Sequence, residues 1–153
     1  MNEQIAKTKT PAKSPRHRAR ELVMQGVYQW RLSGADAAQI EQRMKEEKNL
    51  GRYDTELFSG LLRGVLTNHT ELETALAPHL DRAPNELSPV ELSILLLGAY
   101  ELLLQPATPY RVIINEAVEL AKTYGGTDGH KYVNGVLDKM AAQARAVEVR
   151  ERS

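Results

Sequence analysis

The chain has 153 residues, about the length of one domain, and its 42% apolar content is enough for a core. Aromatic residues make up only 5%, so leucine, valine, isoleucine and alanine must fill that core; the absence of cysteine excludes disulfides, thiolate metal sites and thiol nucleophiles. Lys/Arg and Asp/Glu balance at 20 each, yet residues 1–20 hold six Lys/Arg against a single Glu, so a basic arm precedes an acidic body.

Residues 1–14 mix Lys, Thr, Pro, Ala and Ser and read as a disordered basic N-terminal arm. Such an arm suits a polyanion; the competing reading is a solvated tail. It lacks the apolar block of a secretory signal, and Pro11 and Pro15 would interrupt the amphipathic helix of a transit peptide. No apolar run approaches the roughly 20 residues that span a bilayer. The expected location is the cytoplasm, with no membrane partner.

The helical pattern starts at "SPRHRAREL", Ser14 to Leu22. Ala19, Leu22, Val23, Gly26, Val27 and Trp30 recur at three- and four-residue steps and make one apolar stripe. "LSGAD" ends it, and Asp36 can cap a weaker second helix through Ile40 and Met44. After the loop "KNLGRYD", a third helix runs from about Asp54 to Asn68 with Leu57, Phe58, Leu61, Leu62, Val65 and Leu66 inward. "TELE" at Thr70 to Glu73 reads as a capping box for a short fourth helix. "SPVE" at Ser88 to Glu91 is a fuller start: Ser88 as cap, Pro89 first in the helix, and Glu91 returning its carboxylate. The following "LSILLLGAYELLL" is apolar nearly all round and should be the centre of a bundle. Thr108 and Pro109 open a sixth helix that stops at Gly125 and Gly126. A seventh begins near Asp128 and buries Val133, Val136, Leu137 and Met140. The charged tail after Ala144 is expected to fray. No alternating strand pattern occurs, so the fold class is all-α, a compact bundle of about seven helices. The domain plan is arm 1–14, helical domain 15–146, and tail 147–153.

A search for chemistry finds no catalytic constellation. His17, His69, His79 and His130 have no partner at metal-ligand spacing, and neither a nucleophile elbow nor a phosphate loop is present. No metal or cofactor is expected. The first helix is more informative. At about 100° per residue, Arg20, Arg31, Met24, His17 and Tyr28 lie along one flank of its apolar stripe, with Arg16 at the edge. Guanidinium forks grip phosphate, a tyrosine ring offers a stacking surface to an unpaired base, and the helix N-terminus adds partial positive charge. The competing reading is a surface helix whose tyrosine packs at the core edge.

Three stretches carry a resemblance. "RARELVMQGVYQWRLS", "VELSILLLGAYEL" and "PYRVIINEAVELAKTYGGTDGHKYVNGVLDK" closely resemble the NusB family of bacterial transcription antitermination factors, over about residues 16–142. The resemblance implies a non-enzymatic, all-helical RNA-binding protein. It would pair with the small-subunit ribosomal protein NusE, bind boxA RNA of ribosomal RNA operons, and join the antitermination complex on RNA polymerase. The same fold serves as a domain of RNA cytosine methyltransferases, but their cofactor-binding domain has no room in this chain. Carried onto these residues, the resemblance implies RNA contacts at Arg16, His17, Arg18, Arg20 and Tyr28, with His17 standing where relatives often have another basic residue. It also implies contacts at Lys131 and Tyr132, beside Asp128 and Asn134. From its pattern alone, Tyr132 would be assigned to the core. Scattered arginines and two tyrosines fit a single strand better than an A-form duplex, whose major-groove edges are hidden from side chains. Asp128 should restrain affinity, being a carboxylate near phosphates. Glu101, Glu116 and Glu119 are candidates for a face toward the basic ribosomal protein. The family occurs both as monomers and as homodimers, and a homodimer would cover the RNA face; the sequence does not choose between them. The alternative class is a purely protein–protein helical module.

Overall fold

The computed structural model describes residues 13–152. Of the arm expected over residues 1–14, only Lys13 and Ser14 fall within that range. Among the described residues there are eight α-helices and no strand: α1 (Pro15–Ser33), α2 (Ala37–Glu46), α3 (Thr55–Thr67), α4 (His69–Leu76), α5 (Pro89–Leu104), α6 (Tyr110–Tyr124), α7 (Gly129–Ala144) and α8 (Ala146–Arg152). Two 3₁₀ turns, Ala77–His79 and Pro84–Glu86, bridge α4 to α5.

Local chemistry accounts for most of the boundaries. The Ser14 hydroxyl accepts from the His17 N–H at 3.0 Å with Pro15 in the first turn, so α1 starts where its sequence directs. It ends at Gly34, whose φ of 74° is left-handed and whose N–H returns to the Trp30 carbonyl. Asp36 and Gln39 form a reciprocal capping box for α2, and Asp54 caps α3 at the Leu57 N–H. Two expected caps differ. α4 opens at His69, directly behind α3 and with no side-chain cap, so Thr70 lies inside the helix and its carbonyl accepts from Thr74. Ser88 caps α5 at the Glu91 N–H, but the Glu91 carboxylate lies against Gly129 instead of closing back on Ser88.

Helix α5 is the axis, as its all-round apolar character predicts. Leu92 to Leu102 are buried without interruption, and α1, α3, α4, α6 and α7 pack around it. Each fully buried leucine there contributes roughly 1.5–3 kcal/mol by leaving water. Contacts at the two ends of α5 orient the neighbours. Gly129, opening α7, sits beside Glu91 near the start of α5, while Arg145, closing α7, reaches Glu101 and Leu102 near its end. The two helices therefore run parallel.

The segment after Ala144 does not fray. Arg145 is buried and donates to the carbonyls of Leu102, Thr108, Glu101 and Gln105 at the end of α5 and in its exit loop; Glu101 and Gln105 also accept there from the Gln105 and Thr108 N–H groups. Its Nη1 also meets Glu148 at 2.6 Å. The other Glu148 oxygen accepts from the Tyr110 N–H at 2.9 Å, so α8 supplies the N-terminal cap of α6 that Thr108 and Pro109 do not.

Candidate nucleic-acid interface

The basic positions at the start of α1 have separate fates. Arg16 is exposed, with its guanidinium 3.6 Å from Asp54. The His17 Nδ1 lies 2.6 Å from the Glu116 carboxylate of α6. Arg18 donates through Nε to the Leu50 carbonyl at 2.8 Å and through Nη1 to Glu21 at 3.0 Å, which leaves its side chain 21% exposed. Arg20 departs from expectation. It is 2% exposed and forms a fork with Glu101 of α5, Nε at 2.9 Å and Nη2 at 2.8 Å, with Glu116 at 3.4 Å from Nη1. Burial opposes its charge, but the hydrogen bond to Glu101 and the two carboxylates outweigh that and hold the guanidinium above its ordinary pKa. Arg20 thus ties α1 to α5 and offers no free fork to a phosphate. Glu101 and Glu116, expected toward a protein partner, are taken up in the same network; Glu119 is exposed.

The sequence signal for this pair was Glu101 itself. A carboxylate in the middle of an otherwise apolar, all-round-buried helix demands a buried cation. Arg20 lies close enough to the Ala19–Val23 edge of the α1 stripe to provide one.

Beside that pair, Glu21 is a second junction. Its carboxylate, 1% exposed, accepts from Lys13 at 2.7 Å, from Arg18, and from the Tyr124 hydroxyl at 3.0 Å. Burial would raise its pKa, but these three donors prevail and hold it below the ordinary glutamate range. Tyr124 closes α6, and the turn after it leads into a cleft of about 290 Å³ lined by Arg82, Glu91, Gly126, Thr127, Asp128, Gly129 and Tyr132. The chain therefore connects the basic start of α1 to this cleft through Tyr124 and the glycines that follow. Gly129 lets the Glu91 carboxylate approach closely, since a Cβ there would stand 2.8 Å from a Glu91 oxygen and the carboxylate would have to shift.

Tyr132 is half-buried, neither core nor fully displayed. Its ring packs at the core edge, its hydroxyl donates to Asp81 at 3.0 Å, and the Arg82 guanidinium lies 5.0 Å from the ring centre. Burial and the Asp81 carboxylate both push the phenol above an ordinary tyrosine pKa. Lys131 is 73% exposed, with Nζ 3.5 Å from Asp128. Asn134 is exposed one turn further along α7. It lines a separate cleft of about 300 Å³ with Tyr110, Arg111, Ile114, Asn115 and Asp138. Tyr28 is half-buried on α1. The structure thus gathers Asp128, Lys131 and Tyr132 at the start of α7, sets Arg16, His17 and Arg18 at the start of α1, and takes Arg20 into the interior. Reasoning from sequence missed Arg82 and Asp81; nothing in the loop pattern distinguished them from ordinary solvated charge.

The model of the NusB family matches residues 17–142. The chain belongs to the NusB family. It is 57% identical over 144 residues to a transcription antitermination protein NusB of Dechloromonas aromatica (strain RCB), covering 94% of this chain and 88% of that one. Among solved structures, T. maritima NusB is 31% identical with a TM-score of 0.75, covering 91% of this chain and 99% of its own. A crystal structure of antitermination factors NusB and NusE in complex with dsRNA is 27% identical with a TM-score of 0.73, covering 81% of this chain and 93% of that one. No helix among the described residues is long and apolar enough to cross a membrane, and no group of three or more potential metal ligands occurs among them.

Proposed function

We propose that this chain is a non-enzymatic, cytoplasmic transcription antitermination factor. In this reading it binds single-stranded boxA-type RNA together with NusE and promotes processive transcription of ribosomal RNA operons within the antitermination complex on RNA polymerase. The observation that carries the reading is the similarity, over 93% of that chain's length, to a relative solved with NusE in complex with dsRNA; the choice of a single strand rests on the exposed basic side chains and tyrosine rings, which suit unpaired bases. The local geometry supports it: two helix N-termini, of α1 and α7, present basic and aromatic side chains and are joined through Tyr124 and Gly126.

In this reading Arg16 and Lys131 hold phosphates, because both extend into solvent and are tied only by exposed ion pairs. Arg18 and His17 border the same strand but share their charge with Glu21 and Glu116. Tyr132 and Tyr28 offer rings to unpaired bases. Asn134 continues the path along α7, and Asp128 restrains affinity by holding Lys131. Arg20 serves by positioning α1. If two copies associate over this face, RNA and the second copy compete.

The test is a salt-titrated anisotropy measurement with a boxA-like single strand and its duplex, each with and without the ribosomal protein. The expected result is preference for the single strand, with the slope flattened by about 0.7 for each phosphate contact removed in Arg16→Ala and Lys131→Ala. An unchanged slope in both variants would replace this reading with the protein–protein module.

A further inference from the structure

We infer that Arg82 is a further RNA-binding residue, and that Asp81 competes with RNA for both Arg82 and Tyr132. The inference rests on the RNA-binding reading above and deepens it.

Asp81 and Arg82 stand on the turn between the two 3₁₀ segments, opposite the first turn of α7. One carboxylate serves both groups. Asp81 accepts from Arg82 Nε at 2.8 Å and Nη2 at 3.2 Å, and from the Tyr132 hydroxyl at 3.0 Å. The Arg82 guanidinium is at the same time 5.0 Å from the Tyr132 ring centre. A planar fork satisfied by two carboxylate oxygens over an aromatic ring is chemically the seat of a phosphate beside a stacked base. In the free protein, Asp81 fills the phosphate's half of that seat. Arg82 is 44% exposed and Asp81 62% exposed, so the pair faces water and is open to exchange. The cleft that Arg82 and Tyr132 wall continues to Asp128, beside Lys131, so a strand held by Lys131 passes within reach of the guanidinium. An incoming phosphate would take over the Arg82 fork, and Asp81 would turn to solvent. Glu91 and Asp128 are the carboxylates that line the cleft, and Arg82 is the cation of that lining.

Binding of a boxA-like single strand to the full chain with the ribosomal protein tests this, in parallel for wild type, Asp81→Ala, Arg82→Ala, the double variant, and Glu47→Ala. Glu47→Ala removes one exposed negative charge remote from the cleft and controls for net charge. Asp81→Ala is expected to bind about two- to fivefold more tightly with an unchanged salt slope, because the Arg82–phosphate contact forms in both, whereas Arg82→Ala should flatten the slope by about 0.7. In the Arg82→Ala background the gain from Asp81→Ala should shrink to the part carried by Tyr132, and Glu47→Ala should match wild type. Circular dichroism melting confirms that each variant is folded; Asp81→Asn, which keeps an acceptor for the Tyr132 hydroxyl, stands in for Asp81→Ala should that variant unfold. If wild type binds and Asp81→Ala binds equally or more weakly, or if Glu47→Ala tightens binding as much, the inference is overturned and the RNA reading stands. If wild type binds no RNA with or without the ribosomal protein, both fall.

Discussion

Arg20→Ala should unfold this protein far more readily than it weakens RNA binding. Both partners of the Arg20–Glu101 fork are 2% exposed, and two bonds of 2.8 and 2.9 Å join them. Removing one partner leaves a charge buried without its counter-ion, which typically costs about 3–5 kcal/mol. For a domain of this size that lowers the melting temperature by roughly 6–20 °C. Replacing both partners with apolar side chains of similar volume, as in Arg20→Met with Glu101→Met, should cost far less, because no orphaned charge remains. Urea unfolding of wild type, both single variants and the double variant measures these terms, and an unchanged m-value keeps the comparison two-state. RNA affinity measured well below the midpoint should be nearly unaffected by Arg20→Ala. A loss of stability below about 1 kcal/mol, together with a large drop in RNA affinity, would refute the assignment of Arg20 to the interior.

Four other perturbations have expected outcomes. Glu148→Ala removes the acceptor at the Tyr110 N–H and should cost about 0.5–2 kcal/mol in urea unfolding; no change would mean that α8 does not cap α6. Asp128→Asn releases Lys131 and removes a negative charge beside phosphates, so it should tighten RNA binding; equal or weaker binding at fixed salt would reject this. Asp138 is exposed but lines the cleft beside Asn134, where partial desolvation raises its carboxyl pKa, so its ionised form opposes folding only weakly after solvent screening. Asp138→Asn should therefore raise the melting temperature at neutral pH, with the gain fading as acid protonates the wild-type residue; a gain that persists at low pH would contradict that origin. The folded-state pKa of Glu21 is depressed, so its contribution to stability is complete above the ordinary glutamate value of about 4.3 and is lost as pH falls through the depressed one. Glu21→Gln should consequently shrink the acid-side slope of stability against pH.

The sequence made the bundle legible wherever one local rule governed a boundary. Ser14–Pro15, Asp36, Asp54 and Ser88 each cap the helix their pattern announces, and the unbroken apolar run after Leu92 marks the axis. It failed where a distant group supplied the partner. α8 looks like a charged tail until Arg145 and Glu148 meet backbone groups on α5 and α6, contacts some 38 to 44 residues apart along the chain. The candidate interface divides the same way. Arg16 is exposed at the edge where helical spacing places it, and Lys131, named by the family resemblance, is exposed too, whereas Arg20 is drawn inward by Glu101, 81 residues later. Asp81 and Arg82 gain meaning only when a turn brings them to Tyr132, 51 residues away. Periodicity fixes which face a residue occupies, but the depth of a boundary position depends on the charge of the neighbour it meets.

In the proposed reading, one unpaired strand runs from the start of α1 to the start of α7. Photo-cross-linking of a single boxA-like RNA, with adducts mapped by mass spectrometry in the presence of the ribosomal protein, tests it most directly. Adducts from the same strand are expected on the Arg16–Arg18 segment and on the Lys131–Tyr132 segment, both lost on competition with unlabelled strand. Adducts confined to one segment, or located chiefly outside both, would contradict it.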